Sequence, residues 1–188
     1  MLISISGSQG SGKSKLIQSL VDRGHLAVGR KTARSILTDW GVTLQEVNED
    51  LDLTVQYQEA LLARKIEDDY EHVGSSSVWL TERTFADLFV YALISLGKHN
   101  QYSDWLNTYF AKCMDCQTAY DQVFYLTAGH FSVVNDGVRG INQHYSKMAD
   151  MTMRHFTNVM TPPGKLTIVD TGCLNERIDS IIQVIDKQ

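Results

Sequence analysis

The feature that most constrains the fold is a glycine-rich stretch near the start of the 188-residue chain. Residues 7–14 fit the pattern G-x-x-x-x-G-K-[ST] at every fixed position. Residues 2–6 predict a short buried strand before it, and residues 15–21 predict a helix after it. Such a loop wraps backbone N–H groups around an anion, and the positive end of the helix dipole adds to the attraction. The sequence therefore predicts a nucleoside triphosphate site.

Each residue of this loop is assigned to that site. Lys13 is expected to reach the β- and γ-phosphates, and the Ser14 hydroxyl is expected to bind Mg²⁺. The assigned residues are Gly7, Ser8, Gln9, Gly10, Ser11, Gly12, Lys13 and Ser14. ATP and Mg²⁺ are accordingly the expected cofactors.

Composition excludes several other classes of protein. No apolar run reaches the roughly 18 residues that a membrane span needs, and no basic stretch precedes the first strand, so we expect neither a membrane segment nor a signal peptide. Three cysteines without an export signal favour the cytoplasm. Cys113 and Cys116 fall within a helical pattern, and no second pair has metal-ligand spacing, so we expect core packing. The net charge of −5 argues against a nucleic-acid surface but leaves room for a local basic pocket.

Short apolar strands alternate with longer helical patterns, which predicts an α/β fold. The strands are expected at 2–6, 25–29, 77–82, 121–126 and 165–170. They would form a five-stranded parallel sheet flanked by helices in three layers. Neither a linker nor a repeat interrupts the chain, so a single domain is expected over 1–188, with a lid segment at about 127–140.

Charged residues follow every predicted strand, and ligands of open α/β sheets bind beyond these carboxyl ends. They are Arg30, Lys31 and Arg34 after the second strand, Glu82 and Arg83 after the third, Asp136 and Arg139 after the fourth, and Asp170 after the fifth. With Lys13, six of the 17 cationic residues would face one crevice. Such clustered charge favours phosphoryl transfer, whose transition state needs positioning and charge neutralisation.

Two of these positions have simpler interpretations. Glu82 is expected to bind Mg²⁺ together with Ser14, and the alternative is an ordinary ion pair with Arg83. Arg139 is expected to close over the phosphates as part of the lid, and the alternative is a plain surface loop.

Taken in order, these segments resemble the P-loop nucleoside and nucleotide kinases, a group of thymidylate-kinase-like and nicotinamide-riboside-kinase-like ATPases of the AAA type. Residues 82–84 (Glu-Arg-Thr) resemble the "ER-S" or "DR" segment, and residues 135–139 (Asn-Asp-Gly-Val-Arg) are similar to the "D-G-x-R" lid. The resemblance implies that Glu82 helps with Mg²⁺ or the acceptor and that Arg83 contacts phosphates. It also implies that Thr171 and Gly172 contact adenine, and that the protein is a P-loop kinase, often a homodimer in this group.

One departure from this group bears on the phosphate acceptor. The group commonly carries Glu three residues before Arg after the second strand, and in nucleoside kinases this acid is the base for a hydroxyl acceptor. Here the matching positions are Lys31 and Arg34. With Arg30, they would bind an acceptor phosphate, which is already ionised near neutral pH. In the alternative, Lys31 points to solvent and Glu82 or Asp170 acts as the base.

The sequence is compatible with three functions. The leading one is ATP- and Mg²⁺-dependent phosphoryl transfer to a (deoxy)nucleoside monophosphate, with Arg30, Lys31, Arg34, Arg83 and Asp136 binding the acceptor and Lys13, Glu82, Arg83 and Arg139 in catalysis. The second is a kinase for a hydroxyl on a nucleoside, on nicotinamide riboside or on a hydroxymethylated base in DNA. The third is an acceptor-independent P-loop ATPase. Candidates for lining the acceptor pocket are Trp40, Gln58, Phe85 and Tyr91, for which core packing is the alternative.

Overall fold

A five-stranded parallel sheet forms the centre of the computed structural model, which describes residues 1–28, 33–130 and 143–187. The strands are β1 (Leu2–Ser6), β2 (Leu26–Ala27), β3 (Trp79–Glu82), β4 (Gln122–Leu126) and β5 (Leu166–Val169). Their spatial order is β2-β3-β1-β4-β5, and every neighbouring pair is parallel. The predicted α/β class and strand number are therefore confirmed.

Helices connect the strands as the alternating pattern predicted. They are α1 (Lys13–Val21), α2 (Ala33–Trp40), α3 (Leu44–Glu49), α4 (Leu51–Tyr70), α5 (Phe85–Leu96), α6 (Ser103–Gln117), α7 (Gln143–Met160) and α8 (Leu174–Ile185). The short α3 was not expected. It begins with a capping box, in which the Thr43 hydroxyl accepts from the Glu46 N–H while the Glu46 carboxylate accepts from the Thr43 N–H.

The two faces of β1 pack into different layers. Ile3 and Ile5 lie in a core cluster with the apolar sides of α1 and α8, whereas Leu2 packs in the cluster formed by α4, α5 and α6. Because successive side chains of a strand point to opposite faces, this alternation places helices on both sides of the sheet. The predicted three-layer arrangement is confirmed.

The second cluster also contains one of the two closely spaced cysteines. Cys113 is fully buried within it, and Cys116 packs against the cluster as a partly buried residue, as expected for core side chains. In the part of the chain that the structure describes, no helix is both long and apolar enough to cross a membrane.

Candidate active site

The phosphate-binding loop at residues 7–14 joins β1 to α1 and needs its glycines. Gly7, Gly10 and Gly12 have φ angles of 139°, 79° and 91°, values that side-chain-bearing residues rarely adopt. At Gly7 a Cβ atom would also lie 2.6 Å from the Leu126 carbonyl oxygen and 2.8 Å from the Ser11 hydroxyl oxygen. Gly12 is the N-cap of α1, so the positive end of the helix dipole lies at the loop.

Lys13 is buried under this loop. Its Nζ atom donates to the carbonyl oxygens of Gly7 at 2.7 Å and Ser8 at 2.8 Å, and to the Ser11 hydroxyl at 3.3 Å. The ammonium group therefore lies against the loop backbone. Its flexible four-carbon stem allows the group to turn toward a bound phosphate.

Ser14 and Glu82 meet at the opening of the loop. The Ser14 hydroxyl donates to Oε2 of Glu82 at 2.8 Å. The meeting follows from the sheet, because the end of β3 lies beside β1 with Glu82 in register with Ile5. A hydroxyl and a carboxylate are hard oxygen ligands, and Mg²⁺ in phosphate sites takes one or two such ligands with water and phosphate oxygens. The pair therefore fits Mg²⁺. Among the described residues, no group of three or more His, Cys, Asp or Glu side chains is placed to form a protein-only metal cage.

Arg83 follows Glu82 in a strained backbone conformation. Its φ of 67° is the one positive value among the non-glycine residues that the structure describes. The conformation is held by two hydrogen bonds, from the Arg83 N–H to the Ile5 carbonyl at 2.9 Å and from the Ser4 hydroxyl to the Arg83 carbonyl at 2.7 Å. The guanidinium lies 4.9 Å from the ring centre of Tyr91. Nη1 is buried without a hydrogen-bond partner among described groups, so the strained backbone and the open donor make Arg83 a candidate functional residue.

Asp87 lies fully buried on the first turn of α5, and it is not among the site residues predicted from the sequence. Its Oδ1 atom accepts from the hydroxyls of Ser6 and Thr84. Burial raises the pKa of Asp87, although the charges of Arg83 and Lys13 oppose this rise. The spacing Thr84-x-x-Asp87 is a capping pattern, which is the sequence signal that could have identified the residue.

A cleft of about 850 Å³ opens beside the loop, and both Gln9 and Ser14 line it. Of the predicted acceptor-site residues, Arg34 and Arg83 line this cleft, as does Glu82. The structure thus brings Arg34, in the first turn of α2, together with Glu82 and Arg83 at the end of β3, next to the phosphate loop.

Two of the four predicted pocket-lining residues lie elsewhere. Gln58 and Tyr91 line the cleft as expected. Phe85 is instead fully buried and stacks on Tyr120 with ring centres 5.5 Å apart, because the first residue of α5 points into the core. Trp40 is 39% exposed and packs edge-on against Tyr57 outside the cleft. Of the two interpretations that the sequence left open, core packing therefore holds for Phe85, and Trp40 does not line the cleft.

The long helix α4 supplies cleft residues that sequence reasoning missed. Arg64 lines the cleft and pairs with Asp39 at 2.8 Å. Lys65 pairs with the fully buried Asp69 at 2.8 Å and donates to the Glu82 carbonyl at 3.2 Å. Only the fold brings these helix positions to the end of β3, so no local sequence pattern identifies them. Asp68 and, from beyond the end of α5, Lys98 also line the cleft.

Residues 170–173, between β5 and α8, lie on the other side of the phosphate loop. Oδ1 of Asp170 accepts from the Thr127 hydroxyl at 2.6 Å and lies 3.1 Å from the His130 ring nitrogen Nε2, and these contacts lower the pKa of Asp170. Thr171 and Gly172 do not line the large cleft. Arg30, Lys31, Asp136 and Arg139 lie outside the described residues.

Comparisons with known proteins agree with the fold. A family model described as an AAA domain matches residues 2–177 of the chain. No curated protein matches the chain at a significant level.

Solved structures of nucleoside and nucleotide kinases share the fold. Deoxyadenosine kinase from M. mycoides with bound dATP has a TM-score of 0.75 at 15% identity, over 99% of this chain and 100% of that one. The NadR protein in complex with NR has a TM-score of 0.68 at 14% identity, over 98% and 50% of the two chains. Thymidylate kinase from Candida albicans has a TM-score of 0.61 at 15% identity, over 99% and 91%. At these identities the similarity shows the fold alone, and it confirms the predicted P-loop kinase-like architecture.

Proposed function

The chain belongs to the AAA domain family of P-loop proteins, and on that basis we propose that it is an ATP- and Mg²⁺-dependent kinase that phosphorylates a (deoxy)nucleoside monophosphate. The observation that carries the proposal is the continuity of the phosphate loop with a cationic cleft: Gln9 and Ser14 belong to the loop and also line the cleft. A donor phosphate on the loop and an acceptor in the cleft would meet at Ser14, Glu82 and Arg83.

On the donor side, the loop N–H groups and Lys13 would hold the ATP phosphates. The two carbonyl contacts of Lys13 would give way to charge-assisted bonds with phosphate oxygens, which are stronger. Ser14 and Glu82 would hold Mg²⁺, which supplies neutralisation of the phosphate charge when bound. The assignments of Arg139 to the lid and of Thr171 and Gly172 to adenine stay part of the proposal.

On the acceptor side, charge supports a phosphate-bearing ligand. The cleft lining contains five cationic side chains, Arg34, Arg64, Lys65, Arg83 and Lys98, and three acidic ones, Asp68, Asp69 and Glu82. This cationic excess contrasts with the chain's net charge of −5. A monophosphate carries most of its second negative charge near neutral pH, because its second pKa is about 6. It therefore needs neutralisation rather than a base.

The side chain of Gln58 is evidence that the phosphate acceptor also carries a nucleobase. The side chain is 4% exposed and lines the cleft. Its amide oxygen Oε1 is buried without a hydrogen-bond partner among the described groups. A buried hydrogen-bond acceptor without a partner costs about 1–3 kcal/mol, so a ligand that donates an N–H to Oε1 gains affinity. Nucleobases present N–H groups on their edges, which makes them suitable ligands.

A second candidate function is transfer to a hydroxyl acceptor. The observation that favours it is Glu82, whose carboxylate lies at the junction of loop and cleft. A hydroxyl must lose its proton during transfer, and a carboxylate at this place is positioned to receive it. In this alternative Glu82 is a general base rather than a metal ligand only.

Product analysis with matched acceptors separates the two candidates. The protein is incubated with ATP, Mg²⁺ and pairs of compounds that differ only by the 5′-phosphate, such as dCMP and deoxycytidine, dAMP and deoxyadenosine, and dTMP and thymidine. The proposal predicts diphosphate products from at least one pair and none from its free nucleoside. Monophosphate products from the free nucleosides alone would establish the hydroxyl alternative instead.

Arg34→Met tests the acceptor site directly. Losing a charged hydrogen bond to the acceptor phosphate should raise KM for the monophosphate about tenfold or more, while KM for ATP stays unchanged. Arg23→Met is the matched control, because the exposed Arg23 side chain donates only to the Ser19 carbonyl of the preceding helix α1, at 2.7 Å, in the described contacts. Equal KM values for the monophosphate in the two variants would remove Arg34 from the acceptor site.

A further inference from the structure

Arg177 is a buried arginine that joins two loops of the candidate nucleotide site. It lies near the start of α8 and is only 1% exposed. Its Nε atom donates to the Thr171 carbonyl at 2.6 Å, and its Nη1 atom donates to the Ser11 carbonyl. Ser11 belongs to the phosphate loop, and Thr171 belongs to the segment between β5 and α8. One guanidinium therefore holds two loops from opposite ends of the chain.

These two bonds fix the direction of two backbone N–H groups. A trans peptide is planar, so a carbonyl and the N–H of the next residue point in opposite directions from the same rigid unit. Holding the Ser11 carbonyl thus orients the Gly12 N–H, and holding the Thr171 carbonyl orients the Gly172 N–H. Gly12 is the N-cap of α1, with φ of 91°, and glycine has more conformational freedom than other residues, so a bond that holds the preceding carbonyl restricts this peptide.

The charge of Arg177 adds to this effect. Burial lowers its pKa, but an arginine remains protonated, since its ordinary pKa is above 12. The cation lies at the carbonyl ends of the two peptide dipoles. Hydrogen bonds in a chain polarise one another, so N–H groups at the opposite ends become better donors to an anion.

We propose that Arg177 is a positioning residue for ATP, which orients the Gly12 and Gly172 amides and so couples the phosphate loop to the segment at 170–173. The inference rests on the proposed function in requiring that the phosphate loop binds ATP and that the segment at 170–173 contacts it. With only 1% of its surface exposed, Arg177 is expected to act through these two backbone segments rather than by touching the nucleotide.

Two substitutions and a control test this role. Arg177→Met keeps most of the volume of the aliphatic side chain and removes the guanidinium group. Arg177→Lys keeps the positive charge but cannot make the same pair of hydrogen bonds as the planar guanidinium. Arg23→Met is the control, an exposed arginine that also donates to a backbone carbonyl. Dissociation constants for ATP and for inorganic tripolyphosphate are measured by calorimetry, below the melting temperature of each variant. KM values for ATP and for the acceptor are measured on the same samples.

Arg177→Met should weaken ATP binding at least about tenfold, which corresponds to about 1.4 kcal/mol. Arg177→Lys should weaken it by a smaller factor, and Arg23→Met should not change it. ATP should lose more affinity than tripolyphosphate, because only ATP would use both loops. KM should rise for ATP and stay constant for the acceptor, a split that mere loss of stability would not produce.

If Arg177→Met does not fold, Arg177→Lys carries the test, with amide hydrogen exchange at Gly12 and Gly172 measured without ligand. Faster exchange at these two amides than at other loop amides is expected. Unchanged exchange, or ATP binding equal to that of the wild type in a folded Arg177 variant, overturns the inference. A wild type that binds ATP but phosphorylates no acceptor overturns the proposed kinase while the Arg177 role stands. A wild type that does not bind ATP overturns both.

Discussion

Gly7→Ala is expected to damage both the stability of the protein and its affinity for ATP. The added Cβ would lie 2.6 Å from the Leu126 carbonyl oxygen and 2.8 Å from the Ser11 hydroxyl oxygen, in a backbone conformation with φ of 139°. Leu126 is the last residue of β4, so its carbonyl cannot move without disturbing the sheet. The loop would have to move instead, away from the position that holds the phosphates.

Gly164→Ala is a matched control that isolates the conformational cost. Gly164 has φ of 82°, and a Cβ there would meet nothing within 4 Å. A side chain in the left-handed region costs about 1–2 kcal/mol, and the stiffer unfolded chain returns about 0.4–1 kcal/mol. We expect Gly164→Ala to lower the free energy of unfolding by about 1 kcal/mol. Gly7→Ala adds steric overlap of about 1–3 kcal/mol, so its total loss should be about 2–4 kcal/mol.

Urea unfolding and calorimetric titration with ATP check this pair of variants. Gly7→Ala should bind ATP at least about tenfold more weakly than the wild type, because a shifted loop loses charge-assisted bonds to phosphate. Gly164→Ala should bind ATP like the wild type. The reasoning is refuted if the two variants are destabilised equally and Gly7→Ala retains its ATP affinity.

Three further substitutions test the interior, and a fourth, at an exposed residue, is a control. The pKa of Asp87 is raised in the folded protein, so the folded state keeps this proton to higher pH than the unfolded state does, and the stability of the wild type falls as pH rises from about 4 to 7. Asp87→Asn lacks this proton, so its stability should rise relative to that of the wild type over the same range. Urea unfolding at several pH values measures the difference. Tyr120→Phe should lower the free energy of unfolding, measured by thermal unfolding, by about 1–3 kcal/mol, because the buried Asp69 loses a 2.7 Å hydrogen bond. Cys113→Ser should lower the free energy of unfolding by about 1–3 kcal/mol, because it buries a hydroxyl. Cys173 is exposed, so Cys173→Ser should change the free energy of unfolding by less than about 0.5 kcal/mol.

The sequence predicted the strand, loop and helix around residues 7–14 because the signals for them are local. A fixed glycine pattern between a strand and a helix determines the phosphate loop. The rule that strand ends carry the ligand site placed Glu82 beside Ser14, and the 2.8 Å contact confirms that they are neighbours. Whether the two residues bind Mg²⁺ stays a prediction.

The acceptor side was harder to predict because it depends on long-range packing. Helical period alone does not distinguish a core face from a cleft face, so the sequence left both open for Phe85, which stacks on Tyr120 in the core. Arg64 and Lys65 reach the cleft only because α4 packs across the end of β3. Arg177 meets the phosphate loop from the far end of the chain, a contact that no sequence pattern indicates.

The most direct test of the proposed kinase is ADP formation from ATP and Mg²⁺ with and without an acceptor. The proposal predicts slow ADP formation without an acceptor and a marked increase when a suitable nucleoside monophosphate is added. One molecule of nucleoside diphosphate should then form from the acceptor for each ADP. Lys13→Met should abolish the stimulated rate, since it removes the cation expected at the transferring phosphate. ATP consumption that no acceptor changes, and that yields only inorganic phosphate, would contradict the proposal and indicate an acceptor-independent ATPase.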